Sequence, residues 1–377
     1  MRVLVAPDKF KGTLTAEQAA EAIMAGWRRA VPGAEVDLSP MADGGEGTLD
    51  ALVAALGGER FAERVAGPLG DSVRAEYAIV RSPYGPLGVV EMARASGLGL
   101  ISEDRRNPVR ATTHGTGELI LAAARRGVPR ILVCIGGSAT NDAGAGMAQA
   151  LGIRLLDERG RDLRPGGEAL LELARIDATG LDPAVGNVRF VVACDVDNPL
   201  TGANGASAVY GPQKGASPEA VAQLDRALGH FAAVVHRDLA VDVRSIPGAG
   251  AAGGLGAGLV AFLGAHLRPG VDVVMDAVGL RGRLERADAA VTGEGAFDRQ
   301  SLHGKVPAGV LRAAAEAGVP AVVLCGRAEV DLPGVEVASL AERFGAQAAM
   351  ERARPLLEEL AAEVAARIEE RLGAPER

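Results

Sequence analysis

At both ends of the chain, apolar strand runs alternate with helical stretches, and a hairpin interrupts the alternation between them. RVLVA reads as a buried strand. Thr15 can cap a helix running to Arg29, with Glu17 in its first turn, AEVDLSP is the next strand, and Gly47 to Leu56 is again helical. From Phe61 to Met92 the pattern turns strand-like, with PYGPLG a turn between VRAEYAIV and VVEMA. Helix-and-strand units resume with GTGELILAAARRG, PRILVCIGG and NVRFVVACDV. After the glycine-rich GAGAAGGLGAGL, the stretch from ADAAVTGEG to the closing helix Met350 to Leu372 reads β-α-β-β-α. The simplest architecture is a two-domain α/β chain: a doubly wound domain made from both chain ends, residues 1–58 and 281–377, with a second α/β domain, residues 59–280, inserted between them. A ligand site is expected in the cleft between the domains, at the carboxyl ends of the strands.

Composition narrows the function classes. With 377 residues, 48% hydrophobic and 23% charged, the chain can bury sizeable cores and is not disordered. A net charge of −8 argues against a nucleic-acid partner. No stretch has the apolar length of a membrane span; Gly253 to Leu267 is too short and broken by glycines. Met1 to Ala6 stops at Pro7, Asp8 and Lys9, well short of a signal-peptide core. Cys134, Cys194 and Cys325 each fall late in a strand run, as core filler rather than a disulfide or zinc framework. A cytoplasmic protein is expected. Of 40 basic residues only four are lysines: Lys9 and Lys11 in DKFKG, Lys214 in GPQKG and Lys305 in HGK, all in short glycine-containing motifs. A chain so skewed to arginine is read as keeping lysine where a compact ammonium meets an anion.

Six strand ends run into turns of one chemistry, glycine with Asp, Glu, Ser, Thr or Lys: APDKFKGT, PMADGGEGT, THGTGE, IGGSATNDAG, CDVDNPLTG and TGEGAFDRQSLHGK. Backbone N–H groups in such turns make an anion cradle. Interspersed carboxylates would repel a phosphate unless a divalent cation lay between, so the set points to Mg-dependent phosphoryl transfer. The bland alternative is that glycine and aspartate simply make turns and caps. HGKV is not a P-loop, and Gly248, Gly250 and Gly253 satisfy GxGxxG only after Pro247 instead of a clean strand. The histidines have no metal-ligand spacing; His114 and His303 sit in glycine turns within reach of a ligand.

These motifs, together with EMARASGL, GPQKG and GAGAAGGLGAGL, occur in the order seen in the bacterial type I glycerate kinases, which the chain resembles over essentially its whole length. The resemblance implies ATP- and Mg-dependent phosphorylation of D-glycerate, with the 2-hydroxyl favoured and 2-phosphoglycerate as product. It also implies a flavodoxin-like domain with an inserted domain of restriction-endonuclease-like fold. Two positions depart from the family pattern: Lys9 stands where serine is common, and His114 where tyrosine is common.

Glycerate offers a hydroxyl nucleophile and a carboxylate, so the site needs a base, a held Mg²⁺ and cations. Asp195, just past a strand, is the leading base, with Asp8 the alternative; Lys11, in the same motif as Asp8, is a candidate catalytic contact to the phosphate. Asp43, Glu46 and Asp298 are candidate Mg²⁺ ligands. Gly136, Gly137, Ser138, Thr140, Gly293, Gly295 and Lys305 are candidate contacts to the phosphates of ATP. Arg94 could fork onto the substrate carboxylate, or be a surface ion pair; Ser96 and Asn198 are further substrate candidates. The alternatives left open are a 3-phosphoglycerate product, a kinase for another small hydroxy acid, and a non-catalytic ligand sensor.

Overall fold

A computed structural model describes residues 1–302 and 304–373; His303 lies outside the described residues. Among these, the strands of one sheet come from both chain ends: β1 (Arg2–Pro7) and β2 (Glu35–Leu38) from the N-terminal part. A second sheet follows in sequence: β3 (Gly58–Ala66), β4 (Ser72–Ser82), β5 (Gly85–Glu91) and β6 (Arg130–Cys134). A small ribbon, β7 (Arg154–Leu156) and β8 (Arg175–Asp177), precedes β9 (Arg189–Ala193) and β10 (His266–Arg268). The first sheet is completed by β11 (Ala289–Phe297), β12 (Ala321–Ala328) and β13 (Glu336–Ser339).

The first sheet is wholly parallel, ordered β13-β12-β11-β1-β2. The second is mixed, ordered β10-β9-β6-β5-β4-β3: β3, β4 and β5 form an antiparallel meander, and β5, β6, β9 and β10 run parallel. The Pro83–Tyr84 turn between β4 and β5 is where PYGPLG places it. The stretch VDVVMDAV lies in the helix Gly270–Val278.

Local signals explain the elements. Helix Ala16–Ala30 starts at a capping box: the Thr15 hydroxyl accepts from the Gln18 N–H, and the Gln18 side chain accepts from the Thr15 N–H. Gly26 lets this helix close on helix Ala353–Gly373, since a Cβ there would meet the Glu358 carbonyl at 2.1 Å, and Trp27 is fully buried in the same layer. On the other face of the first sheet, Leu4, Ala6 and Ala290 share one core with Leu49, Val274 and Val310 and with Val89 and Leu132 of the second sheet. Helices Thr48–Leu56, Gly270–Val278 and Val306–Glu316 are thus sandwiched between the sheets, which fixes the two against each other. No helix is long and apolar enough to cross a membrane among the described residues.

Candidate active site

In the first sheet β1 and β11 are neighbours, and the helices that follow them leave to opposite faces. Helix Ala16–Ala30 packs on the side of Val3 and Val5, and helix Val306–Glu316 on the side of Leu4 and Ala6. A crevice opens at such a switch point, at the carboxyl ends of the strands. Two acids flank it. Pro7 is in register with Gly293, so Asp8 and Glu294 emerge side by side; the Asp8 N–H donates to the Gly293 carbonyl at 2.8 Å. Both are 6% exposed. Burial pushes the Asp8 carboxyl up to about 7, helped by the charges of Asp43 and Glu294 and opposed by Lys9. Burial also raises Glu294, against the pull of Ser301 and Lys305. Its Oε2 lies 3.9 Å from Lys305 Nζ, and its buried Oε1 has no partner among the described residues.

The loop after β2 carries the first sheet's acids to the strand ends of the second. A Cβ on Gly44, whose φ is +88°, would meet Ala193 at 2.6 Å, and one on Gly270 would meet the Asp43 carbonyl at 1.9 Å. Gly136 lies against Gly45, and the Glu46 carboxylate lies over Gly137. These glycines are needed because backbones from the two sheets touch here. Asp195 follows β9, and its Oδ1 accepts from the Gly270 N–H at 2.7 Å, at the start of helix Gly270–Val278. Although it lines an open cleft, protein crowded around it raises its carboxyl to about 6. Burial contributes first and Asp43 and Asp272 add, while the Gly270 N–H pulls back.

Asp195 stands where three cavities meet. One of about 270 Å³ holds Gly136, Gly137, Ser138, Tyr210 and Lys214. One of about 460 Å³ holds Asp43, Arg299, Gln300 and Lys305, and one of about 490 Å³ holds Asp197 and Arg268. Two roomier cavities, about 600 and 620 Å³, are bordered by arginine ion pairs (Arg283 with Asp37, Arg161 with Asp157) and contain none of the strand-end acids of the cleft.

Lys214 is a site residue that the sequence left unassigned, although its lysine scarcity marked it. It is 1% exposed, and its ammonium donates to the Ser138 hydroxyl and the Thr140 carbonyl, each at 2.7 Å. Burial pulls it down to about 7, with Asp142 acting the other way. Glu294 is the second such residue; the sequence marks its neighbours Gly293 and Gly295, but its register beside Asp8 is visible only in the sheet.

Several expected contacts have other occupations. Arg94 is held by Glu91 at 2.7 Å, Asp50 at 2.8 Å and Glu76 at 3.5 Å, so all three guanidinium nitrogens face carboxylates of its own fold rather than an incoming one. Ser96 is buried, accepts from the Thr116 hydroxyl at 2.9 Å, and does not face the cleft cavities. Asn198 is tied to Tyr210 and to the Asn204 carbonyl. Thr140 is fully buried and serves Lys214 with its carbonyl. Gly293 is a packing glycine whose Cβ would strike the Leu324 carbonyl at 2.0 Å, and Gly295 makes room for Phe10 and Lys11. Lys11 is exposed at the turn after β1, and Lys9, at the departing position, donates to the Glu46 carbonyl at 2.5 Å. His114 Nε2 lies 4.0 Å from Glu118 Oε1, and His114 lines none of the three cavities that meet at Asp195. Asp298 spends Oδ1 on the N–H groups of Gln300 and Ser301, capping a turn. The Gly248–Gly253 stretch is no dinucleotide loop: Gly253 abuts Thr140, where a Cβ would lie 2.0 Å from its carbonyl.

Among the described residues no three His, Cys, Asp or Glu side chains are grouped closely enough to hold an ion alone. A hard cation that arrives with phosphates needs only one or two carboxylates. Glu294 Oε1, without a partner among the described residues, and the mutually repelling Asp8 and Asp43 fit such a cation. The cleft therefore offers a proton acceptor, oxygen donors, and lysines on two sides.

Residues 3–369 match the model of the glycerate kinase family. A glycerate kinase of Halalkalibacterium halodurans is 53% identical over 316 residues, 84% of this chain and 83% of that one. The glycerate 2-kinase of Escherichia coli is 48% identical over 314 residues, 83% and 82% of the two chains. The crystal structure of a candidate glycerate kinase 2 from Salmonella typhimurium LT2 superposes with a TM-score of 0.91 at 43% identity, covering 99% of this chain and all of that one. With its strand-end acids gathered in one cleft and its relatives matched nearly end to end, this chain belongs to the glycerate kinase family and is a glycerate kinase.

Proposed function

We propose that the enzyme transfers the γ-phosphoryl group of ATP to the 2-hydroxyl of D-glycerate, giving 2-phosphoglycerate and ADP, with Mg²⁺ accompanying the nucleotide. The observation that carries this is the position of Asp195 at the junction of a small cavity and two wider ones. A three-carbon acid suits the cavity of about 270 Å³, and a triphosphate suits the clefts containing Lys305, Arg299 and Arg268. With its carboxyl near 6, Asp195 is mostly ionised above neutrality and can accept the hydroxyl proton as that oxygen bonds to phosphorus and the bond to ADP breaks. Lys305 and Arg299 would face the migrating group, and Lys214 the acid. Asp43, with Asp8 or Glu294, would hold Mg²⁺; Glu46 and Asp298 stand further from this role because one overlies Gly137 and the other caps its own turn. When bound, the ion would neutralise phosphate charge. The 2-hydroxyl is preferred because the Escherichia coli relative is named a glycerate 2-kinase.

We assign residues 1–58 and 281–377 to a flavodoxin-like domain and 59–280 to a restriction-endonuclease-like one. The order β2-β1-β11-β12-β13 supports the first, and the mixed second sheet beginning at Gly58 supports the second. Free thiols at Cys134, Cys194 and Cys325 accord with a cytoplasmic setting.

The test is ATP consumption by purified protein with D-glycerate and Mg²⁺, with products resolved by ³¹P NMR. A 2-phosphoglycerate resonance supports the proposal. A 3-phosphoglycerate resonance would move the attack to the other hydroxyl, and turnover only with another hydroxy acid would change the substrate.

A further inference from the structure

Among the described residues, Lys214 is a buried cation with no carboxylate within ion-pair distance. Only two of its three N–H bonds are spent there, on Ser138 Oγ and the Thr140 carbonyl. It nevertheless lines the 270 Å³ cavity that it shares with Asp195. Unpaired buried charges are costly, so such a group either loses its proton or awaits an anion. The hydroxyl of Ser138 accepts the ammonium's hydrogen, which leaves its own hydrogen free for a second acceptor. The surrounding backbone is built to hold this corner. Gly215, at φ +93°, brings the Pro212–Lys214 turn against Arg106, and the Arg106 guanidinium donates to the Gln213 carbonyl at 3.3 Å. Ala252 lines the same cavity and keeps φ at +54°, a strained conformation for a residue with a Cβ.

We propose that Lys214, with the Ser138 hydroxyl, is the receptor for the carboxylate of the three-carbon acid, placing its hydroxyls toward Asp195. This deepens the function proposed above and rests on it. The choice of the substrate carboxylate over a phosphate of ATP follows from volume and charge. Lys214 sits in the small cavity behind Asp195, whereas Lys305, Arg299 and Arg268 sit in the wider clefts before it. Other ionisable groups facing Lys214 are Asp142 across the loop and Asp195, Cys194 and Tyr210 along the cavity, with Arg106 behind the turn. Binding an anion would hold the ammonium in its charged form, so carboxylate affinity should weaken as the free lysine deprotonates.

The test uses the full chain, with glycerate and its uncharged amide as probes and the variants Lys214→Met and Lys214→Gln. Lys214→Gln retains a donor for Ser138. Expected is a rise of about 10- to 100-fold in KM for glycerate, the worth of one hydrogen bond to a charged group. KM for ATP should stay within about two-fold, and the preference for glycerate over its amide should collapse. A merely structural role would not erase that preference. On the wild type, glycerate affinity should fall between pH 6 and 9 while that of the amide does not, an arm that needs no variant. An unchanged glycerate KM in a chain that turns over glycerate would overturn this assignment alone, as would an equal rise in KM for ATP or a flat pH response. A wild-type chain that binds no glycerate would overturn the functional proposal with it.

Discussion

Asp8→Asn should make the ligand-free protein's stability less dependent on pH. The folded Asp8 carboxyl sits at about 7 against 3.8 for the free side chain, a gap of about 3 units or roughly 4 kcal/mol at 1.4 kcal/mol per unit. Because the folded value is the higher one, the folded chain holds the extra proton. Its stabilising contribution is complete below about pH 4 and is lost as pH climbs through about 7. Two units of that window lie between pH 5 and 7, so wild type should lose about 3 kcal/mol from this residue between pH 5 and 8. Asparagine keeps the shape and can still accept from the Lys9 N–H, which bonds Asp8 Oδ1 at 2.7 Å. It carries no charge to desolvate beside Asp43 and Glu294. Urea unfolding of both proteins at pH 5, 6, 7 and 8, with chelator present, gives the difference directly. Asp195 and Glu294 shift in the same direction but are common to both proteins, so they largely cancel. A variant-minus-wild-type difference that stays constant within about 0.5 kcal/mol across that range would refute burial as the force acting on Asp8.

Asp195→Asn should lower kcat by at least ~10²-fold, the usual worth of an acid–base group, and a near-normal rate would remove it from that role. Arg94→Ala should leave KM for glycerate nearly unchanged but cost about 3 kcal/mol in chemical denaturation, since it strands Glu91, only 3% exposed and accepting from the Leu49 N–H. A large KM effect with intact stability would restore Arg94 as a substrate contact. Gly270→Ala should lower both Tm and kcat: its Cβ would sit 1.9 Å from the Asp43 carbonyl, and overpacking costs about 1–3 kcal/mol, more than the helix gains.

How much of this was legible in the sequence varied with the range of the interaction. The Thr15 capping box, the Pro83–Tyr84 turn and the apolar runs of the strands are short-range signals, and each element lies where those signals put it. Asp195 and Lys305 were legible as polar residues at strand and helix ends. Glu294 and Lys214 were not assigned, because what distinguishes them is register across β1 and β11 and burial under the Ser138–Thr140 turn. The sequence leaves Arg94 open between a substrate contact and an ion pair for the same reason: beside the local Glu91, two of its carboxylates, Asp50 and Glu76, lie on other elements.

The glycine turns show the division most clearly. Their order along the chain, with the alternation broken by a hairpin, was enough to determine the α/β class and the family. Which glycine does what was decided by tertiary structure. Gly44, Gly270 and Gly293 serve close backbone approach, while Gly136 and Gly137 line the cavity as well as packing against the Gly45–Glu46 turn. A glycine in sequence signals only a missing Cβ. Whether the space it frees is filled by a neighbouring chain or left open to a ligand depends on residues far away along the chain.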